Sequence, residues 1–189
     1  MDKAFDLIDQ FVARLNDEGL EPLFDDAVPP DLRTKRVSDV SEIYGWQIRS
    51  AEFNSWAVEL EQRLPFKLPT LYHDLIMRYR FAEFTVGPIL FLANTGVAVF
   101  NELGRVIFRD DDLSPKLLKS GLLQFGRAAG GSFDPVCFDM TRRVSGDAPL
   151  VRIDHEDVLT RSKVRVMDEI APRFRYFVEQ AVVGRYSTL

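Results

Sequence analysis

The sequence predicts an α+β protein, and three observations carry that expectation. Apolar residues recur at helical spacing near both ends of the chain and between residues 51 and 79. Short apolar runs at 88–93, 122–125, 135–138 and 150–153 have the length and composition of strands. Two of these runs bracket Gly126-Arg127-Ala128-Ala129-Gly130-Gly131-Ser132-Phe133-Asp134. That stretch reads as a wide hairpin, because glycine reaches the positive φ values that tight reversals need.

The elements follow in order. Residues 2–18 are expected as a helix, with Ala4, Leu7/Ile8, Phe11/Val12 and Leu15 at helical spacing, Asp6, Asp9, Gln10 and Arg14 between them, and Gly19 as the stop. Residues 20–41 carry Pro22, Pro29 and Pro30 with little periodicity and read as a long connection; 44–49 reads as a short strand. A second helix is expected over 51–63, with Phe53, Trp56, Leu60 and Leu64 inward. Pro65 and Pro69 punctuate the turn to a third helix at 70–79, whose inner residues are Leu71, Leu75, Ile76 and Tyr79. The run 88–93 suits a central strand. Residues 97–108 are ambiguous: Val97-Ala98-Val99-Phe100 favours strand, and Asn101-Glu102-Leu103 favours a helical turn. A short helix at 114–119 has Ser114 as N-cap and Pro115 at the first helical position. After the hairpin, strand 150–153 ends at Asp154, which caps a turn through Val158 and Leu159. Arg161, Lys163 and Arg165 alternate with Ser162, Val164 and Val166, the pattern of a strand with one charged face. Pro172 opens a last helix that turns Phe174, Phe177, Val178, Ala181 and Val182 inward and ends near Gly184.

A chain of 189 residues with fifteen Phe can bury a substantial core, as one large domain or one domain with an appendage. No apolar run is long enough to span a membrane, the N-terminus is acidic and amphipathic, and the single Cys137 fits a cytoplasmic protein. The net charge of −5 is unevenly spread. Residues 1–31 hold nine acids and two bases, whereas the rest holds 20 acids and 22 bases. The acidity therefore belongs to the N-terminal segment, as a solvated helix face, as an attraction for a basic partner or as a surface that docks on the chain's own basic side.

Little in the sequence points to catalysis. The glycine-rich loop lacks the Gly-Lys-Ser/Thr ending of a phosphate-binding loop and leads into a strand rather than a helix. Asp154-His155-Glu156-Asp157 is rich in metal-capable groups, but adjacent side chains diverge, and the only other histidine, His73, lies on an expected helix. Cys137, between Val136 and Phe138, reads as a packing residue. Asp134 and Asp139 lack an evident environment that would separate their pKa values. No catalytic, cofactor-binding or metal-binding residue is expected. Arg142-Arg143 and Arg161/Lys163/Arg165 are basic clusters, but a pI of about 5.1 argues against a dedicated nucleic-acid binder.

Several segments resemble the SUKH superfamily, which includes yeast cell-wall assembly regulators. Trp56-x-x-x-Leu60 followed by Leu68-Pro69-Thr70-Leu71-Tyr72-x-x-Leu75-Ile76-x-x-Tyr79 is similar to that family's opening helix and Leu-Pro-x-x-Tyr segment. Gly130-Gly131-Ser132-Phe133-Asp134 and Cys137-Phe138-Asp139 resemble its glycine-rich turn and Phe-Asp strand end. Leu150-Val151-Arg152-Ile153-Asp154-His155-Glu156 and Ala171-Pro172-Arg173-Phe174-x-x-Phe177-Val178 resemble its later strand and final helix. The resemblance covers roughly residues 50–183. It divides the chain into an acidic helix and linker at 1–41 and an α+β domain at 42–189.

The resemblance implies a mostly antiparallel central sheet flanked by helices, with the first helix as an addition. It also implies a non-enzymatic protein-binding role without cofactors. Bacterial members are inferred to be immunity proteins that neutralise a cognate toxin, often a nuclease, by stoichiometric binding; the alternative is a regulatory scaffold without a toxin partner. The expected contact surface is the glycine loop, with Arg127, Phe133 and Asp134, aided by Asp110, Asp111 and Asp112 for electrostatic steering. Neither membrane nor nucleic acid is an expected direct partner.

Overall fold

The computed structural model describes residues 3–51, 55–97 and 101–186. Phe53 and the run 98–100, both addressed by the sequence pattern, lie outside the described residues.

The fold is α+β, built on a six-stranded antiparallel sheet whose spatial order equals its chain order. Before it come α1 (Lys3–Glu18), β1 (Leu23–Phe24), β2 (Arg33–Arg36), β3 (Ile43–Trp46), β4 (Arg49–Ser50), α2 (Ser55–Arg63), α3 (Thr70–Arg78) and β5 (Tyr79–Arg80). The sheet begins with the hairpin of β6 (Phe84–Val86) and β7 (Ile89–Phe91), in register Phe84↔Phe91. Two helices, α4 (Glu102–Phe108) and α5 (Ser114–Lys119), then intervene. β8 (Leu122–Ala128) and β9 (Pro135–Asp139) form the expected hairpin, followed by β10 (Leu150–Ile153), α6 (His155–Arg161), β11 (Val166–Ala171) and α7 (Phe174–Val182). β1, β3 and β2 form a small separate sheet, and β4 pairs with β5.

Each central strand is buried on both faces, so strand alternation sorts its side chains between two cores. Leu123, Phe138 and Leu150 are in register on one face; Gln124, Cys137 and Val151 are in register on the other. The first face carries the larger core and is covered by α1, α3 and α7. Its centre is aromatic: Phe125 stacks on Phe138 at 4.1 Å, Tyr72 lies 4.9 Å from Phe138, and Phe174 meets Phe138 edge-on at 5.5 Å. Such pairs add about 0.5–1.5 kcal/mol each to the burial of the rings. The second face is covered by α5 and α6, through Leu113, Leu117, Val158 and the sheet residues Leu122, Cys137, Val151 and Ile153.

The periodic helices lie where their apolar spacing places them. α1 buries Ile8, Phe11, Val12 and Leu15 in the same core as the sheet. It is also tied down by polar contacts: Arg14 donates to the Val182 carbonyl at 2.8 Å, and the Tyr79 hydroxyl donates to Asp9 at 2.6 Å.

Four local differences from the sequence reading have clear causes. Residues 20–41 include the strands β1 and β2 rather than connection alone. Gly126 is inside β8, not in the turn: a Cβ there would stand 2.8 Å from the Leu90 carbonyl, so the glycine serves close strand approach. The reversal itself is 129–134, with Gly130 and Gly131 at φ near +82° and +83°. Ser114 does not cap α5; its hydroxyl donates to the Ile107 carbonyl, and Asp110 accepts from the backbone of Asp112 and Leu113 instead. No described helix is long and apolar enough to cross a membrane.

Candidate functional site

The second face of the sheet is incompletely covered. α5 and α6 pack over Cys137 and Val151, but at the β8 end a cleft of about 290 Å³ remains. Its floor includes Gln124 of β8. Its walls come from Arg105 and Val106 of α4, Asp110 and Leu113 of the α4–α5 link, Arg127, Phe133 of the hairpin turn, and His155 and Leu159 of α6.

The turn is fixed to α6 by one carboxylate. Asp154 caps α6, accepting from the Asp157 amide at 3.1 Å, and thereby presents His155 at the helix start. Asp134 reaches across from the hairpin and takes His155 Nδ1 at 2.8 Å and the His155 backbone amide at 3.3 Å. With the Asp134 carboxylate as its acceptor, Nδ1 carries the proton. Burial pushes the Asp134 carboxyl upward, but its hydrogen bonds with His155 and Ser132 outweigh this and hold it below the usual carboxylate range. The turn displays Phe133, which is 71 % exposed, edge-on to the His155 ring at 6.3 Å. Leu159, also exposed, stands on the same cleft.

Arg127 lines this cleft and a neighbouring one of about 310 Å³ whose walls include Asp26, Glu83 and Glu102. It is an internal tie, paired with Glu102 at 2.6 Å and with Glu83 at 3.9 Å. Burial pushes Glu83 above the usual range against the pull of Arg127. Glu102 is also raised by burial, but hydrogen bonds from Arg105 and Arg127 bring it below that range.

The structure therefore brings together only part of the expected contact set. Phe133 is an exposed tip, Asp134 is the half-buried brace beneath it, and Arg127 is held in an ion-pair network. Asp110 caps the turn before α5, and Asp111 and Asp112 face solvent.

Cys137 is fully buried among Leu117, Leu122, Val151 and Ile153. Burial first, and then Asp139, push its thiol upward, and it makes no hydrogen bond to His155 or Asp139. Among the described residues no group of three or more His, Cys, Asp or Glu is placed to hold a metal ion.

Two features of this cleft have no counterpart in the sequence reading. The Asp134–His155 pair joins residues 21 apart, and nothing local signals it. Gln124 did leave a signal, as the one polar residue in an otherwise apolar strand run.

Comparison of the chain with protein-family models, with characterised proteins and with solved structures returns no match.

Proposed function

We propose that the protein is a binding domain that docks another protein on the surface formed by the 129–134 turn and α6. Within that class, the proposed role is that of an immunity protein neutralising a cognate bacterial toxin by stoichiometric binding. The observation that carries the docking reading is Phe133. A phenylalanine this exposed costs solvation free energy in the isolated protein, and here it is not on a floppy tip but on a turn braced by Asp134 and His155. Rigid exposed aromatics flanked by apolar and polar neighbours are the usual energetic centres of protein interfaces. Leu159 extends the apolar patch, and the exposed Asp111 and Asp112 favour a partner with a basic rim, as a nuclease toxin has. The toxin role itself rests on the resemblance of the 50–183 segments to the SUKH superfamily.

Co-expression with the product of the neighbouring gene tests both levels. The expected result is restored growth and a one-to-one complex on size exclusion. Phe133→Ala is expected to weaken that complex by about 2 kcal/mol or more, roughly thirtyfold in Kd, without loss of folding. A non-toxic neighbour, or growth that is not restored, removes the immunity role. An unchanged Kd for Phe133→Ala removes this surface. Capture of several unrelated partners with no single tight one selects a regulatory scaffold instead.

A further inference from the structure

A second surface stands apart from the Phe133 cleft. β3 is the middle strand of the small β1–β3–β2 sheet, and it carries Gly45. The backbone there is not left-handed, so no turn geometry selects this glycine. A glycine inside a strand weakens it and often marks a place where a ligand or another chain comes close. A Cβ at 45 would stand 2.8 Å from Thr34 Oγ1 and 3.8 Å from Val37 Cγ2, so Gly45 shares a face with these two exposed residues. By strand alternation the neighbouring Trp46 is on the opposite face, in the core. Over Gly45 lies an open groove of about 770 Å³ with Leu20, Pro22 and Val37 as apolar walls.

The charged walls restrict the occupant. Arg33, Lys35 and Arg49 line the groove, and no carboxylate does; acids that flank it in sequence, such as Glu21 and Asp31, are outside the lining. Arg33 donates to the Val28 and Asp25 carbonyls and lies over the Tyr44 ring, and Arg49 donates to the Arg33 carbonyl. Among the described residues none of these three cations is paired with a carboxylate, whereas Arg105 and Arg127 at the Phe133 cleft both are. A second copy paired through the free edge of β2 would set Arg33-Thr34-Lys35-Arg36 against itself, cations opposite cations. A single-stranded nucleic acid finds no stacking platform, since Trp46 is 3 % exposed and Tyr44 is covered by Arg33. A flat bilayer leaves the Gly45 floor unfilled. An acidic protein segment with aliphatic residues suits both kinds of wall: its carboxylates meet Lys35 and Arg49, and an aliphatic side chain sits over Gly45 between Pro22 and Val37.

We propose that this groove is a second docking site, for an acidic segment of another protein that carries aliphatic side chains. It goes beyond the Phe133 surface, with which it shares no residue.

Labelled peptides test it. Three of equal length, alternating Glu with Leu, Glu with Ser and Lys with Leu, are titrated by fluorescence anisotropy, and their sites are located on the backbone amides of the 15N-labelled protein. The Glu/Leu peptide is expected to bind saturably, about tenfold tighter than either of the others, and to shift Thr34, Gly45 and Gln47. Lys35→Glu combined with Arg49→Glu is expected to weaken it about tenfold, with an unchanged circular dichroism spectrum. Gly45→Val is expected to abolish the preference for Leu over Ser. No saturable binding, equal binding of the Lys/Leu peptide, shifts outside the groove, or an affinity that survives the double substitution overturns the proposal. Tighter binding of an oligothymidylate, or of vesicles of equal parts phosphatidylserine and phosphatidylcholine, at the same amides also overturns it. The comparison of the three peptides in the unaltered protein decides even where a variant does not fold.

Discussion

At the scale of single residues, carboxylates perform most of the joining. Asp139 ends β9 and accepts from the Thr141 amide at 3.1 Å and from Arg142 Nε at 2.6 Å, with its side chain 11 % exposed. Burial raises its carboxyl, but the hydrogen bonds from Thr141 and Arg142 dominate and hold it below its ordinary value. A carboxylate with a depressed folded-state pKa contributes stability that is present above its unfolded pKa of about 4 and is lost as pH falls through the folded value. Asp139→Asn keeps an oxygen for the Thr141 amide and removes the charge. It is expected to cost about 1–2 kcal/mol at pH 7. Urea denaturation at descending pH is expected to show the two proteins converging below pH 4, and a gap of constant size down to pH 3 counts against this account.

Elements are stabilised by residues distant in the chain, and this sets the limit of what the sequence reveals. α7 has Arg173 at its N-cap position with no side-chain cap. Its first amides are satisfied by Asp147 instead, whose oxygens accept from Phe174 and Arg175, each at 3.1 Å. Asp147→Ala is therefore expected to destabilise the protein by about 1–2 kcal/mol, measured by chemical denaturation. Asp147→Asn, which keeps one acceptor, is expected to recover part of the loss; equal losses for both substitutions point to another role. Local pattern made α1, α3 and α7 legible because each buries one stripe, β9 legible because both faces are buried, and β7 and β10 legible as short, mostly apolar runs. The alternation of Arg/Lys with Val at 161–166 suggests a strand there, five residues ahead of β11. The strand runs Val166–Ala171, and four of its first residues, Val166 to Glu169, are exposed, so no burial pattern marked it. β2 is similarly mute, being Arg-Thr-Lys-Arg on a small outlying sheet. The same limit applies to the site: Phe133 and Asp134 were identifiable as turn residues, but the brace between Asp134 and His155 depends on strand order, which no local window contains.

At the scale of the whole molecule, the N-terminal helix poses the main question, since its acidity sets it apart from the rest of the chain. Its inner face is not an appendage: Phe11 is fully buried and its ring lies 6.4 Å from that of Phe91 on the central sheet. Asp9, one of the helix's acids, accepts from Arg78 and Tyr79, while Asn16 exchanges hydrogen bonds with the Ile48 backbone at 2.9 and 3.0 Å. With apolar packing and polar ties both crossing from helix to body, α1 is expected to unfold together with the sheet in one transition. Far-ultraviolet circular dichroism follows all helices, and the fluorescence of Trp46 and Trp56 follows the body, so coincident curves are the expected outcome. Phe11→Ala removes a large ring from the core and is expected to cost about 3–5 kcal/mol while leaving the two curves coincident. An early loss of helical signal with unchanged tryptophan fluorescence, in either protein, means that α1 is a separable unit. In that case its acids are free to meet a basic partner away from the Phe133 surface, and the docking experiment must then include a chain lacking residues 1–19.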